Sequence, residues 1–187
     1  AIGGSAMGEG GGNAITGGAN VAVGTNAMYN AEGAVHTNTS VGHNTLQTLT
    51  TGNKNVVIGG ASGYSITTGI ENTMIGTDAG GNTVDSNGHT LIGYDAGGNG
   101  DIANNYITAV GYSALASLTS GAGNTAVGYQ SQRDFVEGGY NTSLGYSALG
   151  GLHDTTADAS NENTAVGYNA LAGDWSSNAC NFNVAVG

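Results

Sequence analysis

Proline is absent from this chain, and cysteine occurs once, as Cys180. Cations are almost as scarce. Lys54 and Arg133 stand beside four histidines against 13 Asp and Glu, for a formal net charge of −11. Each shortage excludes a class. Two cations cannot line the basic stripe that neutralises nucleic-acid phosphates, and an anionic membrane surface repels so acidic a chain. One cysteine closes no internal disulfide and makes no multi-cysteine zinc site. No apolar run approaches the ~20 residues of a membrane span. Neither nucleic acid nor membrane insertion is therefore expected. The lack of proline, with glycine off any three-residue period, excludes collagen.

What the chain does have is glycine, 36 of 187 residues, in a background rich in Asn, Thr and Ser. Such a composition fits either disorder or a repeat. The placement decides for the repeat. A glycine that follows an aliphatic residue recurs as Gly3, Gly24, Gly42, Gly59, Gly76, Gly93, Gly111, Gly128, Gly145, Gly167 and Gly187. The basic unit is 17 residues, with longer units near the two ends. Residues 1–187 are thus one array, with no room for a separate globular domain.

The columns keep their chemistry. Before the glycine stand Ile2, Val23, Val41, Ile58, Ile75, Ile92, Val110, Val127, Leu144, Val166 and Val186. Two residues earlier comes a Thr or Val column, from Val21 and Thr39 to Thr164 and Val184, with a mostly small residue between. Four before the glycine stand Asn20, Asn38, Asn55, Asn72, Asn124, Asn141, Asn163 and Asn183, with His89 and Ile107 as exceptions. After it come Tyr94, Tyr112, Tyr129, Tyr146 and Tyr168, then a small residue, often with Leu115, Leu149 or Leu171 behind. A second turn glycine recurs as Gly52, Gly69, Gly121 and Gly138.

One short strand per 17 residues buries too little to offset chain entropy. Stacked coils solve this, because each buries its face on its neighbours. The expected fold is all-β: a parallel β-roll or β-solenoid of about eleven coils. The aliphatic column is expected as a ladder inside the coil, and the Asn column as a side-chain amide ladder. The glycines are expected at turns. The small-residue and Tyr/Leu columns are expected to form a second apolar surface, an interface with identical chains around a threefold axis.

The units Asn163-Thr-Ala-Val-Gly-Tyr-Asn-Ala-Leu171 and Asn141-Thr-Ser-Leu-Gly-Tyr-Ser-Ala-Leu149 resemble the repeats of bacteriophage tail-fibre and tailspike proteins. Asn20-Val-Ala-Val-Gly24 and Asn183-Val-Ala-Val-Gly187 are also similar to the head repeats of trimeric autotransporter adhesins of the Yersinia-adhesin type. The resemblance covers essentially the whole chain. It implies a left-handed roll, a parallel homotrimer, an extracellular or virion-surface location and attachment to a host glycan or protein receptor. The family carries no catalytic residues to transfer. Because the array begins and stops inside a repeat, it reads as a segment of a longer fibre.

Polar candidates for chemistry are few. His36, His43, His89 and His153 fall in different columns and read as turn or ladder residues. Asp78 and Asp95 occupy equivalent places in adjacent units, and stacked carboxylates of this kind suit Ca²⁺. Asp154, Asp158 and Glu162 form a second candidate in an inserted stretch. No other cofactor is implied. Gly8–Gly12 and Gly97–Gly100 lack the ending of a phosphate loop. Trp175 and Phe182 read as local packing, or as platforms for a sugar. No triad or paired carboxylate can be picked out by spacing, so no enzyme activity is expected.

Three functions follow. The first is a structural and adhesive fibre segment whose longer units, residues 4–20, 146–163 and 168–183, carry host binding. The second is a bacterial autotransporter head. The third is a monomeric solenoid binding polysaccharide, or ice through its Thr row. The row's sharing of a face with the aliphatic column argues for its burial and against this third reading.

Overall fold

The computed structural model describes residues 1–7, 14–85, 87–100, 102, 106–151, 160–173 and 180–187. Its strands are β1 (Val21–Val23), β2 (Thr39–Val41), β3 (Val56–Ile58), β4 (Thr73–Ile75), β5 (Thr90–Ile92), β6 (Thr108–Val110), β7 (Thr125–Val127), β8 (Thr142–Leu144), β9 (Thr164–Val166) and β10 (Val184–Val186). They form one sheet in chain order. Every neighbouring pair is parallel and in register, as in Thr73↔Thr90, Met74↔Leu91 and Ile75↔Ile92. The chain is a parallel β-solenoid. Ala1–Gly3, the expected first coil, contributes only an isolated bridge from Ile2 to Val23. Among the described residues ten strands are therefore formed rather than eleven.

Left-handed residues delimit each strand. One precedes the Asn, as at Lys54 (φ 59°) and Glu71 (φ 60°), and the anchor glycine follows the strand, as at Gly76 (φ 136°). A Cβ on Gly76 would also lie 2.3 Å from the Gly93 carbonyl oxygen of the next coil. Backbone handedness and the closeness of the next coil both demand glycine there. Past the anchor, positions +2 and +4 are left-handed again. Their N–H groups then point opposite ways: Asp78 donates to Gly60 of the preceding coil at 2.9 Å, and Gly80 to Ala96 of the following coil at 3.0 Å. Proline at such positions would remove a donor that the stack uses.

The faces of the strands differ from the expectation. The middle residue points inward: Ala22, Ser40, Val57, Met74, Leu91, Ala109, Ala126, Ser143 and Ala165 are all buried. The aliphatic column of Val23, Val41, Ile58, Ile75, Ile92, Val110, Val127, Leu144, Val166 and Val186 points outward, and none of it is buried. The Thr column shares that outer face. The reason is parity. Side chains alternate along a strand, so the Asn and the middle residue, two apart, share the inside. The aliphatic residue, three from the Asn, must then face out.

The second expected surface changes place for the same reason. Ala27, Ala79, Ala96, Ala114 and Ala148 are buried in the coil, with Leu115 and Leu149 beside them. Only the tyrosines of that group face solvent. More of the interior comes from the position seven after the anchor, Leu49, Ile66, Thr83, Leu118 and Phe135, and from Val35, Ile102 and Ile107. Position +4 holds either a large residue (Met28, Leu46, Leu115, Gln132, Leu149) or glycine (Gly63, Gly80, Gly97). Near the C-terminal end the interior turns polar, where Ser131 Oγ donates to Ser143 Oγ at 2.7 Å and Ser143 Oγ to Gln132 Oε1 at 3.0 Å.

Candidate functional site

The inner wall carries the amide ladder. Asn55 Oδ1 accepts from both the backbone N–H and the Nδ2 of Asn72, each at 3.0 Å. Asn55 Nδ2 donates to Asn38 Oδ1 at 3.0 Å and to the Gly69 carbonyl at 2.8 Å. The second turn glycine supplies this acceptor where it is present, as Gly52 does for Asn38 and Gly138 for Asn124, and the carbonyls of Val35, Ser160 and Cys180 do so for Asn20, Asn141 and Asn163. Asn20, Asn38, Asn55 and Asn72 make one run, and Asn124, Asn141, Asn163 and Asn183 a second. His89 ends the first. Its backbone N–H donates to Asn72 Oδ1 at 2.9 Å, and its Nδ1 accepts from Ile107 N–H at 3.2 Å. Nε2 has no partner of hydrogen-bonding geometry among the described residues. Burial pushes its imidazole down to about 4, against a weak opposing effect of the Ile102 backbone. The Ile107 side chain then offers no acceptor, and the ladder restarts at Asn124.

The outer wall carries three parallel columns: Thr, aliphatic and Tyr. Ile58 is 37% exposed and Leu144 49%. Nine inter-strand steps of ~4.8 Å make the Thr and aliphatic face roughly 43 Å long. The tyrosines join it over the C-terminal half. Tyr94, Tyr112, Tyr129, Tyr146 and Tyr168 stack with ring centroids 4.9 to 5.3 Å apart. In-register stacking places one ring over the next without further design, since the coil rise matches an aromatic contact.

Asp78 and Asp95 sit at the left-handed +2 position (φ 57° and 56°), where Asp and Asn are favoured for their backbone tolerance. Burial, more than the nearby Asp78 carboxylate, raises Asp95 above the usual carboxylate range. Asp95 Oδ2 accepts from Asn99 Nδ2 at 2.9 Å and from Ser113 Oγ at 3.3 Å. Both aspartates line an open well of about 310 Å³ at the corner of the coil. A second well of about 380 Å³ lies at the same corner beside Arg133 and Asp134. There the guanidinium is already committed, donating to Asp134 at 2.7 and 2.9 Å. Among the described residues no group of three or more His, Cys, Asp or Glu is placed to hold a metal, so Asp78 and Asp95 have no third ligand of that kind.

The remaining candidates do not converge. His36 Nδ1 accepts from Gly18 N–H at 3.1 Å, a turn contact. His43 is exposed in the Tyr column, and Glu162 is exposed beside the ladder. Gly97 gives room to Leu91 and Ile102 inside the coil and cradles no anion. Phe182 is exposed next to β10. His153, Trp175, Asp154, Asp158 and Gly8–Gly12 lie outside the described residues, as do parts of the three longer units. The corner wells escaped the sequence reading. Their signal was a column five after the anchor, where Tyr64 is followed by Gly81 and Gly98, and Arg133 by Gly150 and Ala172.

Fold and surface together define a parallel β-solenoid, with an apolar core and an amide ladder within and columns of like side chains outside. Against protein-family models, curated proteins and solved structures the chain finds no match. Among the described residues, no helix is long and apolar enough to cross a membrane.

Proposed function

We propose that this chain is a structural and adhesive fibre segment, a rod that assembles side by side with identical copies and serves surface attachment. The observation that supports it is the outward aliphatic ladder. It runs from Val23 to Val186 without a charged residue in its column. With its Thr neighbours it forms one continuous outward face, and contiguous exposed apolar faces mark interaction sites. Covering it with other copies about an axis along the rod keeps all chains parallel. Three copies is the number implied by the resemblance to phage tail fibres and trimeric adhesin heads, as is a virion-surface or extracellular location. The face responsible is the Thr and aliphatic one, rather than the Ala and Leu columns of the first expectation. The reading assigns no catalytic step to the chain.

Light scattering on the purified chain tests it. A mass near three times 18.3 kDa supports the trimer; a stable monomer at micromolar concentration defeats it.

One observation favours a second reading. The Thr column, expected to be buried, faces outward in register with the aliphatic column, so a monomer offers a regular Thr and aliphatic face of the kind that orders water. Thermal hysteresis of the monomeric protein at millimolar concentration would establish ice binding, and its absence would remove it.

A further inference from the structure

The corner wells carry a chemistry of their own. Position +5 after the anchor is filled by Tyr64 in one coil and vacated by Gly81 and Gly98 in the next two. The step leaves the 310 Å³ well. Its walls combine Tyr64 and Tyr94 with the carboxylates of Asp78 and Asp95 and the amides of Asn82 and Asn99. Tyr94 opens the aromatic stack, and Thr77 holds the equivalent place one coil earlier, so no ring of that column covers its second face. Aromatic rings, fixed acceptors and amide donors in one well of this size suit a pyranose ring, whose C–H face packs on an aromatic and whose hydroxyls both donate and accept. No cation lines the well, and two carboxylates repel an anion. The same corner recurs beside Arg133, where the ion pair with Asp134 leaves little net charge.

We propose that this well, between the coils of Tyr64 and Tyr94, binds an uncharged saccharide unit. The proposal gives the attachment reading a place and a ligand class. It rests on that reading only for its biological purpose. It also moves attachment away from the longer units near the ends, onto the regular middle of the rod. The two wells lie on one edge, about four coil rises or ~19 Å apart, so an extended glycan lying along the fibre can meet both.

The test is calorimetric and NMR titration of the intact chain with maltohexaose, cellohexaose and chitohexaose, each to 10 mM-scale concentrations, and separately with CaCl₂. At least one sugar is expected to bind, with shifts confined to the Tyr64–Asn99 region. Gly81→Ala fills the well gently: its Cβ meets no atom nearer than 3.5 Å, so the fold is retained. It is expected to weaken binding at least tenfold, as is Tyr94→Ala, while Gln47→Ala, at the same column in another coil, leaves it unchanged. Failure of all three sugars overturns the proposal. So does sugar binding that ignores both well variants, and so does binding of Ca²⁺ alone. A trimer that binds no sugar sinks the well and spares the fibre. A monomer that binds one does the reverse.

Discussion

Met74 and Gly80 occupy one another's space: a Cβ on residue 80 would lie 2.6 Å from Met74 Sδ. The relationship recurs. Coils whose inward strand residue is large (Val57, Met74, Leu91) have glycine at position +4 (Gly63, Gly80, Gly97). Coils with Ala109 or Ser40 have Leu115 or Leu46 instead. A coil interior this narrow holds a fixed volume, and two positions share it.

The exchange predicts a coupled pair. Met74→Ala alone should cost about 2–5 kcal/mol, as cavity-forming substitutions do. Gly80→Leu alone should overpack the coil and destabilise it too. The double variant, which copies Ala109 and Leu115, should be more stable than the sum of the two. Chemical denaturation of all four species checks this, and strict additivity would refute the shared volume.

Asn55→Ala removes four hydrogen bonds from a fully buried rung. It takes the Oδ1 acceptor from the backbone N–H and Nδ2 of Asn72 and the amide donor from the Gly69 carbonyl, while Asn38 Oδ1 keeps the backbone N–H of residue 55. Each unsatisfied buried group costs about 1–3 kcal/mol, so a loss of at least ~3 kcal/mol is expected in thermal or urea unfolding. A loss below 1 kcal/mol would mean that the ladder adds little to stability.

His89 makes the rod sensitive to acid. Its folded pKa, about 4, lies below the ordinary 6.5. Between those values the unfolded chain takes up a proton that the folded chain refuses, so stability falls as pH drops from 6.5 toward 4 and then levels. The loss is roughly 3–4 kcal/mol, since one pKa unit is worth ~1.4 kcal/mol. Asp95, raised in the fold, acts in the opposite sense within the carboxylate range. His89→Asn should abolish the slope between pH 6.5 and 4 while keeping an acceptor for Ile107 N–H. A pH series of unfolding midpoints for both proteins decides it.

Val110 stands on the outer face in the middle of the rod, partly exposed in the single chain. Val110→Asp should therefore leave the coil folded, with an unchanged far-ultraviolet spectrum, and reduce the proposed trimer to monomers. If the variant keeps the oligomeric mass, the copies meet on another face.

Much of this architecture was legible in the chain. The glycine spacing marked every strand to the residue, because a 17-residue coil repeats its backbone demands each turn: glycine where φ is near 136°, as at Gly76, Asn where a rung must both accept and donate, no proline anywhere. The Asn column and His89 as its substitute were readable for the same reason. The side of the wall was not read from the columns. Val23 to Val186 looked like a core because they are aliphatic, while their partners inside are as small as Ala109 or as polar as Ser143. Hydrophobicity misleads in a coil too narrow for two large side chains. Alternation from the Asn, which had to be inside to be satisfied, points the right way. The corner wells depend on which residues from three successive coils meet, and the exchange between Met74 and Gly80 on how much room a closed coil leaves. Local sequence sets the backbone of each turn; the volume inside it and the surface outside it exist only once the turns are stacked.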